Sequence, residues 1–321
     1  MSIVRSSCRI LLAGLLAAAA VAPGAARAQD RFPWKPVEMI VPWGPGGGAD
    51  ILGRLVSKWM EGDLKATVPV INMPGATGAI GINRMVLNGA DGHSIGVMTG
   101  DTLALATLQD TTFKFQDVVA LGVMIRQPSG FFARADGPYK TWNDVIAAAK
   151  ANPGKITVGI TGPGSPDEAT VAYVGTKGVP LTSVGYTRPG ERYTAVLGGH
   201  VDLLYEQAGD IKGYLESKTL RPLIFFSTQR VAAPFADVPA STEFGYEILL
   251  PQTRTIVARA GVDPKRLETL AASLDRYAKS PEYAAYLRDQ YALPDSYVAQ
   301  KDAQKFLEGE LVAMRKFMGG K

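Results

Sequence analysis

The sequence predicts an α/β protein of two lobes that face each other across a cleft. Apolar strands alternate with amphipathic helices along most of the chain, the rhythm of βαβ units. In each half a strand runs into a glycine-bearing loop that opens a helix: Val37–Val41 into Gly44–Gly48, and Ile156–Ile160 into Thr161–Pro166. The 321 residues, 46% hydrophobic and 20% charged, suffice for two cores.

Residues 1–28 stand apart. Arg5 and Arg9 precede the apolar run Ile10–Ala22, and Ala26-Arg27-Ala28 has the small-residue pattern of a cleavage site, so a cleaved secretory signal peptide is expected. The run is shorter than the roughly 20 residues that span a bilayer. Without this segment the 34 basic side chains fall to 31 against 30 acidic, too even a balance to favour nucleic acid or anionic lipid. The single cysteine, Cys8, lies in it too. The remainder therefore has no disulfide, thiol nucleophile or thiolate-bound metal, and an exported chain of this kind suits a bacterial periplasm.

The first strand ends at Pro42, which cannot donate to a sheet ladder. Gly46, Gly47 and Gly48 let the backbone turn sharply, and Ile51, Leu52, Leu55, Val56, Trp59 and Met60 recur at helical spacing. Free N–H groups and partial positive charge at such a helix start suit an anion. A plain tight turn explains the glycines equally well. Val68–Ile71 is the next strand, Asn72–Gly78 a second loop before a helix, Ser94–Met98 a strand, and Thr99–Thr102 a third polar loop. In parallel α/β sheets, ligands gather at such strand ends.

Val118–Ile125 and Phe131–Arg134 are strand-like. Thr141 starts a helix in capping-box form with Asp144, and Asn152-Pro153-Gly154 stops it. Thr182–Tyr186, Val201–Tyr205 and Leu223–Phe226 supply further strands, and from Asp263-Pro264 the pattern is helical to the end.

Enzyme readings fare poorly. Gly44–Ala49 satisfies a dinucleotide-binding G-x-G-x-x-A, but the strand after it ends in Asn72-Met73, without the ribose-binding acid. The two histidines, His93 and His200, each follow a glycine in a turn, and no G-x-S-x-G elbow accompanies them. No catalytic residue, metal site or cofactor is expected.

The motifs KPVEMIVPWGPGGGAD (Lys35–Asp50), NMPGATG (Asn72–Gly78), DGHSI (Asp91–Ile95), PYKTWNDVIAAAKANPGKITV (Pro138–Val158) and TGPGSP (Thr161–Pro166) occur in this order. LGGHVD (Leu197–Asp202), LRPLIFFSTQR (Leu220–Arg230) and Asp237–Pro239 follow. From about Trp34 onward the chain thereby resembles the solute-binding receptors of tripartite tricarboxylate transporters, the Bug family. The resemblance implies a two-lobed periplasmic binding protein of type II, a Venus flytrap, with an interlobe ligand cleft. Residues 29–128 and 254–321 would form lobe 1, and 129–253 lobe 2. It implies a monomer that takes a small organic acid or related polar carboxylate to membrane permease subunits, without catalysis. A sensor docking on a signalling partner would have the same cleft.

By position, the resemblance places Trp43, Gly46, Gly47, Gly48, Ala49 and Asp50 in the first-lobe loop, flanked by Thr77, Gly78, Thr99 and Asp101. Gly162, Gly164 and Ser165 would close from the second lobe, with Tyr186, Arg188, Tyr205 and Glu206 facing the cleft. Asp50 also reads as a helix cap, Trp43, Tyr186 and Tyr205 as core aromatics, and Arg188 and Arg254 as solvated or lobe-bridging. The chain departs from the family pattern with Ala49, Glu168, Glu206 and Thr253 where threonine, histidine, asparagine and an aromatic are usual. Carboxylates at Glu168 and Glu206 suggest a ligand that also carries a cation or several donors. For Glu168 a local capping box with Ser165 is the competing explanation.

Overall fold

Two mixed β-sheets, each flanked by helices, carry the chain in a computed structural model that describes residues 32–108, 112 and 114–318. The fold below is that of the unit Lys35–Lys321. The signal peptide expected at residues 1–28 lies outside the described residues. Among those described, no helix is long and apolar enough to cross a membrane.

The first sheet contains β1 (Glu38–Val41), β2 (Val70–Asn72), β3 (Ser94–Thr99), β4 (Val118–Gln127), β10 (Gln252–Arg259) and β11 (Val298–Ala299), in the order β11-β4-β10-β3-β1-β2. The second contains β5 (Ser129–Arg134), β6 (Thr157–Ile160), β7 (Thr182–Gly185), β8 (Leu203–Gln207) and β9 (Leu220–Phe225), in the order β7-β6-β8-β5-β9. Each sheet keeps the expected parallel core around its glycine loop: β1 pairs with β2 and β3, and β6 with β7 and β8. Antiparallel strands extend both, so neither is the purely parallel sheet that βαβ rhythm alone suggests. The reason is the crossing. β4 passes through Pro128 directly into β5 of the other sheet, and the chain returns on β10, which inserts between β3 and β4. Residue-by-residue reading assigns no strand to Gln252–Arg259 beyond noting Arg254.

The helices are α1 (Gly48–Leu64), α2 (Ala79–Leu87), α3 (Gly100–Ala104), α4 (Trp142–Ala151), α5 (Pro166–Thr176), α6 (Pro189–Leu197), α7 (Lys212–Glu216), α8 (Pro264–Ala278), α9 (Pro281–Asp289) and α10 (Gln300–Met318). α1 buries Leu52, Val56 and Met60 against the first sheet. α4 has the capping box read from sequence: Thr141 Oγ1 accepts from Asp144 N–H, and the Asp144 carboxylate accepts from Thr141 N–H at 2.8 Å. Such a cap is worth about 1 kcal/mol. One apolar core runs continuously from Ile40, Ile82 and Met98 to Phe131, Trp142 and Val158, linking the two sheets. Phe131 anchors it, with ring centroids 5.2 Å from both Trp142 and Phe226.

Candidate functional site

The N-terminus of α1 is built by Asp50, whose carboxylate reaches back over the loop. It accepts from Gly46 N–H (3.1 Å), Arg54 Nε (2.9 Å) and Asn72 Nδ2 (2.9 Å), while Asn72 Nδ2 also donates to the Trp43 carbonyl at 3.0 Å. Burial works against its charge, but these bonds prevail and hold Asp50 below the usual carboxylate range. Gly46 sits at φ +85°, the left-handed region open to glycine. As first helical residues, Gly48 and Ala49 have N–H groups with no intrahelical carbonyl to meet.

The second loop repeats the device. Asp167 Oδ2 accepts from Thr161 N–H at 2.9 Å, Glu168 Oε2 from Gly164 N–H at 2.8 Å, and Ser165 Oγ from Glu168 N–H at 3.2 Å. Each loop thus gives one glycine N–H, Gly46 or Gly164, to an acid four residues on.

The two loops meet across a small buried cavity of about 30 Å³. From the first sheet and its loops it is lined by Trp43, Gly47, Gly48, Ala49, Thr99, Asp101, Gln252 and Arg254. Thr161, Asp167, Pro189, Arg192, Tyr193, Glu206, Gln207 and Asp210 face them. The sides touch: a Cβ on Gly47 would come within 2.8 Å of Pro189 Cγ, and Thr77 Oγ1 donates to the Pro163 carbonyl at 3.3 Å. Larger grooves of about 750 and 510 Å³ lie elsewhere, but neither is lined by a buried charge.

Two buried ion pairs dominate the lining. Arg192 is bonded to Glu206 within the second lobe. Arg254 is bonded to Asp210 from the opposite sheet and donates to Gln127 Oε1 at 3.0 Å. Burial disfavours both guanidinium charges, and the partner carboxylates more than offset it. Burial pushes Asp210 up to about 6 against the pull of Arg254. Asp101 and Asp167 approach each other through Thr161, whose hydroxyl lies 3.2 Å from Asp101 Oδ1 and 2.9 Å from Asp167 Oδ2. Burial and the Asp101 charge hold Asp167 well above the usual carboxylate range.

Of the residues named from sequence, Trp43, Gly47, Gly48, Ala49, Thr99, Asp101 and Glu206 line the cavity. Gly46 and Asp50 sit behind it as loop supports. Thr77, Gly78, Gly162, Gly164 and Ser165 form the contact between loops beside it, and Glu168 caps its own loop. Tyr205 is core, packed on Phe131 and Phe226. Tyr186 lies in an outer groove with His200, and exposed Arg188 pairs with Glu191 at 3.1 Å while covering Gly44. Glu206 carries no spare charge, because Arg192 takes it. Sequence reading missed Thr161, Asp167, Pro189, Arg192, Tyr193, Gln207, Asp210 and Gln252 as cavity residues, and left Arg254 open between surface and bridge. It bridges, and it also lines the cavity.

Two sheets joined by strand crossings and closing on a buried polar cavity define a two-lobed periplasmic binding protein fold. MatC from Rhodopseudomonas palustris with bound malate superposes with a TM-score of 0.82, at 21% identity over 89% of this chain and 100% of that one. The periplasmic binding protein BugD gives 0.81, at 23% identity over 90% and 99%. The chain belongs to the tripartite tricarboxylate transporter family receptors, whose family model matches residues 52–318. A Cupriavidus necator protein described as "UPF0065 protein in gbd 5'region" is 30% identical over 277 residues, 85% of this chain and 84% of that protein.

Proposed function

We propose that this receptor captures a small organic carboxylate in the cleft between its lobes and delivers it to membrane permease subunits, without transforming it. Residues 1–28 are removed on export to the periplasm. Residues 29–128 and 254–321 act as one lobe and 129–253 as the other. The observation that carries the reading is the first-lobe wall of the cavity. Trp43 Nε1 and Arg254 Nε, both buried and without an acceptor, line it together with the opening of α1. Malate in MatC is a ligand of the same chemistry.

A cavity of about 30 Å³ has room for water, for which about 10–15 Å³ suffices, and is far below the roughly 300 Å³ at which ligand pockets begin. Entry of an acid therefore requires the lobes to part. Contacts made by both lobes at once then favour reclosure in proportion to that differential binding.

The test is a thermal-shift panel of mono-, di- and tricarboxylates on the chain without residues 1–28, with turnover followed on the same compounds. A true ligand at a hundredfold excess over its dissociation constant raises stability by about 2.7 kcal/mol, and no compound is consumed. Consumption of any of them overturns the receptor reading.

A further inference from the structure

Away from the ligand cavity, a groove of about 750 Å³ lies where the chain changes sheets. Pro128, between β4 and β5, and Pro251, just before β10, both line it, so it touches each of the two crossings. One wall, residues 226–233, leaves β9 and is tied to the second sheet: Phe226 N–H donates to the Ser129 carbonyl at 2.8 Å. The other wall, Arg288 and residues 291–294, ends α9 and is tied to the first sheet, with Leu293 N–H donating to the Arg126 carbonyl at 3.1 Å. The walls meet where the Tyr291 ring packs on Phe235, centroids 4.9 Å apart.

The groove is apolar and carries charge of one sign. Phe226, Val231, Leu249, Tyr291 and Leu293 line it, and no Asp or Glu does. The acids beside it are committed: Glu243 to Arg230 at 2.8 Å, Asp289 to Lys212 at 2.7 Å, and Asp295 to Arg126 at 2.9 Å. Arg288 is left exposed in the lining without an ion pair or side-chain hydrogen bond among the described residues. Small-molecule pockets of roughly 300–1,000 Å³ have this make-up, mostly apolar with a few polar groups that orient the guest. One unanswered guanidinium matches one anionic head, which it can hold with two parallel bonds. An anionic lipid surface or an acidic peptide calls for a cluster of cations, and the second guanidinium here, Arg230, is occupied.

We propose that this groove is a second binding site, for a small amphipathic monoanion such as a medium-chain fatty acid, with its carboxylate on Arg288 and its apolar body between Phe226 and Leu293. The inference is independent of the ligand cavity and of what binds there. Because the two walls belong to different sheets and both crossings line the groove, any change in the angle between the sheets reshapes it. The groove described is that of the closed protein, so an occupant touching both walls favours closure in proportion to that differential contact.

The test uses anilinonaphthalene sulfonate and its sulfonate-free parent, phenylnaphthylamine, titrated by fluorescence into the wild type, Arg288→Gln and Ala232→Trp. In the wild type the anion binds about three- to fivefold more tightly than the parent, the range for one exposed charge pair, and octanoate displaces it better than octanol does. Arg288→Gln brings the ratio toward one, and Ala232→Trp, which fills the groove, weakens both compounds. Survival of the ratio in Arg288→Gln, or of full affinity in Ala232→Trp, overturns the site. Should a variant misfold, the wild type decides: octanol competing as well as octanoate overturns the anion preference. For the hinge role, saturating octanoate should reduce the radius of gyration of Asp210→Asn, which lacks the ion pair between the sheets, and adding Ala232→Trp should abolish that change. An unchanged radius, or a reduction that survives Ala232→Trp, overturns the coupling to closure.

Discussion

The Asp210 carboxylate, on the loop after β8, is ion-paired with the Arg254 guanidinium on β10, so a buried charge pair joins the two sheets directly. The pair lies against the start of α1: a Cβ on Gly48 would fall 2.2 Å from Asp210 Oδ1 and 2.3 Å from Arg254 Nη2. Asp210 therefore holds the guanidinium and covers the helix end that a ligand carboxylate would approach. Gln127 Oε1, at the crossing from β4 to β5, keeps Arg254 in place from the other side.

Asp210→Asn should open the unliganded protein. With the interlobe ion pair gone, closure loses a charge-assisted bond, and the closed fraction falls. Small-angle scattering should show a larger radius of gyration than the wild type without ligand, and the same value once ligand is saturating. An unchanged unliganded radius would show that the pair does not govern closure.

Gly48→Ala tests how tightly that end is packed. The added methyl meets both members of the ion pair at distances no Cβ tolerates, while glycine-to-alanine in a helix otherwise favours stability by about 1 kcal/mol. Circular dichroism should be unaltered, but ligand affinity should drop tenfold or more because the lobes can no longer close fully. Native-like affinity in this variant would place the ligand elsewhere.

These relationships divide what was readable in the sequence from what was not. The glycine loops and the Thr141 cap are local devices, with partners a few residues away, so residue type and spacing reveal them; Asp50, read as a helix cap, instead lies inside the first turn of α1, where Gly47 is the cap, and braces the loop through Gly46 and Asn72. Arg254 and Asp210 meet only because β10 returns to the first sheet after the chain has built the second, and periodicity carries no record of such a crossing. The α5 start shows the limit most sharply. Ser165-x-x-Glu168 is a visible box, and Glu168 does serve its own loop, while its neighbour Asp167 turns inward to Thr161 and Asp101. One residue of helical rotation separates the structural acid from the cavity acid.

Acid should favour closure. Burial and Asp101 raise Asp167 in the closed form, so the closed form binds its proton more tightly than the open one, in which Asp101 has withdrawn. The other groups facing Asp167 are Arg192 on α6 and Glu206 on β8, which are bonded to each other on the same side of the cavity as Asp167. The unliganded closed fraction should fall as pH rises through the raised Asp167 titration. Scattering across that range checks it, and Asp101→Asn should flatten the curve. A closed fraction that grows with pH contradicts the assignment.

Glu206→Gln separates a structural acid from a recognition acid. Glu206 and Arg192 are both about 4% exposed at the side chain and bonded within one lobe, so the pair spans no cleft. Neutralising Glu206 leaves a guanidinium buried without its counter-charge, which costs about 3–5 kcal/mol when one partner of a buried pair is removed. Denaturant unfolding should register that loss. The double variant Arg192→Met with Glu206→Leu should recover much of the stability, because apolar replacements of similar volume remove both desolvation penalties together. If Glu206→Gln instead kept its stability and lost affinity for the carboxylate, Glu206 would have to be a recognition acid.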